Sequence, residues 1–159
     1  MRVSLHAVGR MKAGPERDLA QRYLDRFAKA GPALGLDFGG LTEIAESRQS
    51  DADGRRREEA EALARHAEGS ALVVLDERGR HMGSEEFARF IGALRDAGER
   101  QMTVALGGHD GHDETTRARA RLVLSFGRLT WPHQLARIML AEQLYRAATI
   151  LSGHPYHRA

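Results

Sequence analysis

Short apolar runs alternate with stretches of helical periodicity along the chain. Val3 to Val8 reads as a first strand, closed by Gly9. Pro15 to Lys29 follows as a helix with proline near its first turn. In it Leu19, Tyr23 and Phe27 recur at helical spacing, and Arg22, Arg26 and Lys29 mark another face. Leu36 to Ile44 is a weaker strand, diluted by Gly39 and Gly40, and Asp51 to Glu68 is a charged, alanine-rich helix. Ala71 to Leu75 (ALVVL) and Met102 to Leu106 are continuous apolar runs, as expected of strands buried on both faces. Between them Ser84 to Ala97 predicts a helix. Ser84 gives it half a capping box, because Phe87 rather than Glu stands three residues on. Asp113 is placed to cap a short helix through Arg121, and Leu122 to Ser125 reads as a last strand. Gln134 to Leu151 is the strongest helix, ended by Gly153 just past its C-terminus.

This alternation predicts a parallel α/β sheet in a single domain spanning residues 1–159. Glu46 to Arg57 reads as the most mobile loop, its charges a solvated surface. The final helix carries two apolar stripes, Leu135, Ile138 and Met139 on one side and Leu140, Leu144, Ala148 and Leu151 on the other. A surface helix needs one stripe. The second fits either a helix central to one core or burial against a second subunit.

Composition narrows the class. With 159 residues, 42% of them hydrophobic, the chain is long and apolar enough to bury a core. No apolar run approaches the ~20 residues that span a bilayer. The opening MRVSLHAVGR has too short an apolar stretch for a secretory signal. Cysteine is absent, which excludes disulfides and zinc–thiolate sites. A soluble cytoplasmic protein is the expectation. The net charge of +2 is too small to identify a nucleic-acid partner. Only Lys12 and Lys29 are lysine. The other basic residues are arginine, whose planar fork suits phosphate, although a genome favouring arginine codons is the simpler account.

Familiar motifs are missing. There is no G-x-G-x-x-G, no P-loop, no G-x-S-x-G elbow and no kinase signature, which argues against a dinucleotide-binding dehydrogenase, an ATPase, a kinase and an ordinary esterase. His109 to Asp113 (HDGHD) offers imidazoles and carboxylates close together, but no further cluster stands at a ligand spacing, so no metal is expected. A glycine-rich loop bringing backbone amides to a ligand at the carboxyl end of a strand is the better reading. His133, at the entry to the final helix, fits a capping or packing role. The tail GHPYHRA places His154, Tyr156, His157 and Arg158 side by side, an unusual density of useful groups for a terminus.

Taken together, these segments carry a resemblance. LTWPHQLARIMLAEQLYRAATILSGHPYHR, Leu129 to Arg158, closely resembles the C-terminal signature of the ribosomal RNA large subunit methyltransferase H family, of the knotted SPOUT class. The opening VSLHAVGRMKAGPERDLAQRYLDRF resembles that family's first strand and helix. VVLDERGR at Val73 to Arg80 and VALGGHDG at Val104 to Gly111 resemble its internal motifs. The resemblance implies a C-terminal trefoil knot and a homodimer. It implies S-adenosylmethionine as methyl donor, and N3 of a pseudouridine in 23S rRNA of the assembled ribosome as acceptor. Carried over by motif, Leu75, Gly107 and Gly108 should line the donor pocket. Gly127, Arg128, Leu129, Thr130, Trp131 and Pro132 should wrap the donor, largely through main chain. His154, Tyr156, His157 and Arg158 should face the RNA base. His109–Asp110 and Arg128 depart from smaller residues common at those places.

An imide N3–H is a poor nucleophile until its proton leaves. The resemblance therefore casts His157 or His154 as proton acceptor and Arg158 as the cation stabilising charge on the flanking carbonyls. Arg146 would support these groups or bind phosphate. A non-catalytic ribosome-binding factor of the same fold, and a metal-dependent hydrolase using HDGHD, are the alternatives.

Overall fold

The computed structural model describes residues 1–157. Arg158, among the expected catalytic groups, lies outside the described residues. The strands are β1 (Arg2–Val8), β2 (Asp37–Ile44), β3 (Ala71–His81), β4 (Gln101–Leu106) and β5 (Leu122–Ser125). The helices are α1 (Pro15–Ala30), α2 (Ala52–His66), α3 (Ser84–Asp96), α4 (Glu114–Arg119) and α5 (His133–Leu151), with a 3₁₀ turn at Pro32–Leu34. The strands form one sheet in the order β2-β1-β4-β3-β5, every neighbouring pair parallel. The predicted parallel α/β domain is therefore present. The apolar runs of β1 and β4 occupy the sheet centre, where both faces are covered.

The two faces differ. Val3, Leu5, Val73, Val104 and Leu124 point to the side covered by α1, α3 and α5, where Leu24, Phe27, Ile91, Leu140 and Leu144 complete the main core. The opposite side is thin: Val74 and Ala105 meet Leu63 of α2. Polar groups fill the rest of that layer, His6, Glu59 and His112 all being buried.

His6 has no hydrogen-bond partner on either ring nitrogen among the described residues, and its ring lies 5.2 Å from that of His66. Burial first, then the neighbouring His66 and His112, push its pKa from 6.5 down to about 4. The unfolded chain takes up this proton near pH 6.5, whereas the folded chain resists until pH falls to about 4. Stability is therefore full above pH 6.5 and declines as pH drops through that window. The expected loss is about 3 kcal/mol once pH is below both values. Urea unfolding of the parent and of His6→Leu at neutral and acid pH checks this; equal pH dependence in the two proteins would contradict it.

Several boundaries differ from expectation for identifiable reasons. The cap of α3 is Gly83, whose N–H donates to Glu86 at 2.9 Å, so the capping carboxylate stands one residue earlier than a Ser84 cap required. α4 stops at Arg119, before the expected Arg121, because the chain must extend into β5. The buried line of α1 is Ala20, Leu24 and Phe27; Leu19 and Tyr23 sit beside it, half-buried, and Tyr23 faces Tyr145 of α5. β3 runs six residues past the apolar ALVVL. It leaves the ladder after Leu75 and returns so that Arg80 and His81 pair with Leu124 and Ser125.

The expected mobile loop also resolves differently. From Ala52 onward it is helix, capped by the Asp51 carboxylate on the Gly54 N–H at 2.7 Å. Arg55 holds Asp110 through two hydrogen bonds, 2.7 and 3.2 Å, and also donates to the Gln49 and Ser50 carbonyls. These charges are structural as well as solvated. No helix of the described residues is long and apolar enough to cross a membrane.

Candidate active site

Strands β4 and β5 end beside the point where β3 leaves the ladder, and a cleft of about 270 Å³ opens there. Leu75 ends the paired run of β3, Leu106 ends β4 and Ser125 ends β5. Of the residues expected to hold the donor, Leu75, Gly107, Gly108, Gly127, Leu129, Thr130 and Trp131 all line this cleft. Arg128 and Pro132 belong to the same segment but are not among its walls. Asp76, Arg56 and Phe126, which the sequence did not single out, are.

The glycine floor is forced by close approach. A Cβ on Gly107 would stand 3.1 Å from the Gly111 carbonyl carbon, and one on Gly108 would stand 2.7 Å from Glu59 Oε2 and 3.1 Å from Val8 Cγ1. Glu59 accepts the Ser47 N–H at 3.1 Å from its buried position. Burial pushes its pKa up, partly opposed by the backbone N–H groups of Ser47 and Gly108. Gly108→Ala must displace this carboxylate, and a loss of about 1–3 kcal/mol is expected. Thermal unfolding checks it; an unchanged Tm would contradict the close fit.

The HDGHD residues divide among separate tasks. Asp110 pairs with Arg55, and Asp113 caps α4 through the Thr116 N–H at 2.7 Å. His112 is buried, which lowers its pKa. His109 is exposed, 3.4 Å from Glu46 and stacked edge-on against His133 at 5.0 Å. Among the described residues no group of three or more such side chains is placed to hold a metal.

The tail takes a defined path. Gly153, at φ +68°, lets the His154 N–H return to the Thr149 carbonyl and its own N–H to Ile150, which ends α5 and turns the chain back. The organising group is Glu142. It accepts Arg146 Nε and Nη2 at 2.9 and 2.5 Å, and the Tyr156 hydroxyl at 3.1 Å. The Arg146 guanidinium lies 4.9 Å over the Tyr156 ring, which packs 4.8 Å from Tyr145. His157 Nδ1 stands 3.3 Å from Arg146 Nη1, and Arg is only a donor, so this nitrogen accepts. His154 Nδ1 accepts the Tyr156 N–H at 3.1 Å. None of His154, Tyr156 or His157 lines this cleft. Glu142 lines a neighbouring groove with Leu19, Tyr23, Ile138 and Met139, and this groove shares Ser125, Phe126 and Gly127 with the cleft as a common wall.

A family model described as "Predicted SPOUT methyltransferase" matches residues 1–157. The chain belongs to the SPOUT methyltransferase family. Relatives named ribosomal RNA large subunit methyltransferase H match it end to end. The protein of Brucella anthropi is 63% identical over 160 residues. Those of Mesorhizobium japonicum and Rhizobium meliloti are each 62% identical. In all three alignments 100% of this chain and 100% of the relative are covered.

In this SPOUT methyltransferase the main omission of the sequence reading is Glu142. The Glu142–Arg146 spacing of four residues on a helix was the available signal. Asp76 and Arg56 gave none, since their neighbours in the cleft come from distant parts of the chain.

Proposed function

We propose that the chain transfers a methyl group from S-adenosylmethionine to N3 of a pseudouridine in 23S rRNA on the assembled ribosome, as a cytoplasmic homodimer. The observation that carries the donor half is the convergence of the ends of β4 and β5, the point where β3 leaves the ladder and the segment 127–131 on one glycine-floored cleft. The residues suit the donor. Leu75, Leu106 and Trp131 give apolar walls for a purine, Gly107 and Gly108 let main chain approach, and Asp76 lies in the wall with its carboxylate paired to Arg117 at 3.4 Å. When bound, the donor supplies an electrophilic methyl on a sulfonium. The protein's task is in-line positioning of the nucleophile.

For the base-facing half, Tyr156 is a hydrogen-bond donor. Burial first, then Tyr23 and Glu142, push its pKa up to about 12, so the phenol stays neutral. His154 and His157 both have an Nδ1 lone pair engaged in this arrangement, so either accepts the N3 proton only after releasing its present donor. Arg158 is assigned the charge on the flanking carbonyl oxygens. Support for the dimer comes from the Leu135, Ile138 and Met139 stripe, which the chain's own core leaves outside. Support for the knot comes from β3 meeting β5 both before and after its excursion at residues 76–79, beside the segment leaving β5.

Calorimetry with S-adenosylhomocysteine tests the donor half. One site per chain is expected, weakened at least tenfold by Gly107→Val, whose side chain would collide with the Gly111 backbone. Absence of binding would refute a donor cleft and favour a ribosome-binding factor of the same fold.

A further inference from the structure

Beside the donor cleft lies a larger one, about 590 Å³, that the donor reading does not use. Its walls are the turn after β1 at Arg10 and Met11, the pair Glu46 and His109, and the start of α5, with Arg137 at its floor. His109, Thr130, Trp131 and His133 line both clefts, so the two share one wall.

Two features of this cleft, Trp131 and Arg10, point to a ligand, and Arg137 closes the wall behind them. Trp131, the one tryptophan of the chain, is 39% exposed there, an uncovered aromatic surface. Arg10 is exposed at the rim and enters no ion pair among the described residues. Arg137 is 3% exposed. It donates to Glu43 and, at 2.9 Å, to the Gly9 carbonyl, but its Nε–H has no acceptor among the described residues. This nitrogen is enclosed by protein, so it belongs to the packing behind the wall rather than to the cleft surface. Among the described residues the only carboxylate on the walls, Glu46, faces His109.

An uncovered aromatic face beside a free rim cation matches a nucleotide. Bases of unpaired RNA stack on aromatic rings, and arginine suits the phosphate between them. We propose that this cleft takes a nucleotide of single-stranded rRNA neighbouring the methylated one, its base against Trp131 and its phosphate toward Arg10. The proposal rests on the rRNA methyltransferase reading above. It extends the RNA footprint from the tail to the far side of the donor segment.

The test compares the parent with Arg10→Glu, a surface change away from the donor-holding residues. Methyl transfer is measured on ribosomes from a strain lacking the protein. The KM for ribosomes should rise about tenfold, with kcat and donor affinity nearly unchanged. The salt dependence of binding should fall by about 0.7 in log–log slope, one phosphate contact on a single strand. In parallel, a single-stranded RNA oligonucleotide should quench Trp131 emission while S-adenosylhomocysteine fills the donor cleft. An unchanged KM for ribosomes would overturn the proposal. So would Trp131 emission that changes with protein concentration rather than with RNA, since a second copy of the chain would then cover the cleft. Failure of the parent to bind donor or to methylate would instead refute the methyltransferase reading.

Discussion

Glu43→Ala is expected to destabilise the protein by about 3–5 kcal/mol, because it leaves a buried guanidinium without its counter-charge. Arg137 is 3% exposed, and its only carboxylate partner among the described residues is Glu43. Glu43 also accepts the Met11 N–H at 2.9 Å, so one substitution orphans two donors. The pair ties the second turn of α5 to the ends of β1 and β2, which hold the helix start and the segment before it. Removing both charges is a different perturbation: Glu43→Ala with Arg137→Met should recover much of the loss. Urea unfolding followed by circular dichroism measures both. A single-mutant cost below about 1 kcal/mol, or a double mutant as unstable as the sum, would show that the pair is not coupled.

Glu142→Ala should lower methyl transfer by two orders of magnitude or more while leaving donor affinity within about threefold. The carboxylate holds Arg146 and the Tyr156 hydroxyl together, and His157 rests on Arg146. Without it the tail keeps its residues but loses their mutual placement, and misplacement by about an ångström costs on the order of 10² in rate. Glu142 is not a wall of the cleft proposed for the donor, which separates the two effects. Glu142→Gln keeps an acceptor and should retain more activity than the alanine variant. Equal activity of parent and Glu142→Ala would remove the tail from the catalytic account; a matching loss of donor affinity would make Glu142 a general structural residue.

The legible parts of the fold were those where burial is continuous. β1, β4 and the first half of β3 announce themselves as apolar runs, and α5 by its stripes. The second half of β3, DERGRH, is polar and reaches the edge strand β5 through backbone pairing, so hydrophobic pattern carries no sign of it. Arg55 and Asp110 meet across 55 positions, and nothing local marks either as paired. Arg137 stood between apolar residues in the helix pattern, with no hint that it is more buried than Ile138 beside it. His6 and Glu59 belong to the thin side of the sheet, where single polar residues in an alternating pattern look solvent-facing. For the site, spacing and composition made the tail conspicuous. The residues expected to hold the donor came from the resemblance, and most of them converge on one cleft. Glu142 escaped notice because its role is to position neighbours.

The most direct test of the central claim is mass spectrometry of 23S rRNA from a strain lacking the protein, before and after its ribosomes are incubated with purified protein and S-adenosylmethionine. The account predicts one pseudouridine-containing fragment lighter by a methyl group in the deletion strain and restored by the incubation. A full methylation pattern in the deletion strain, or a missing methyl that the purified protein does not restore, would contradict it.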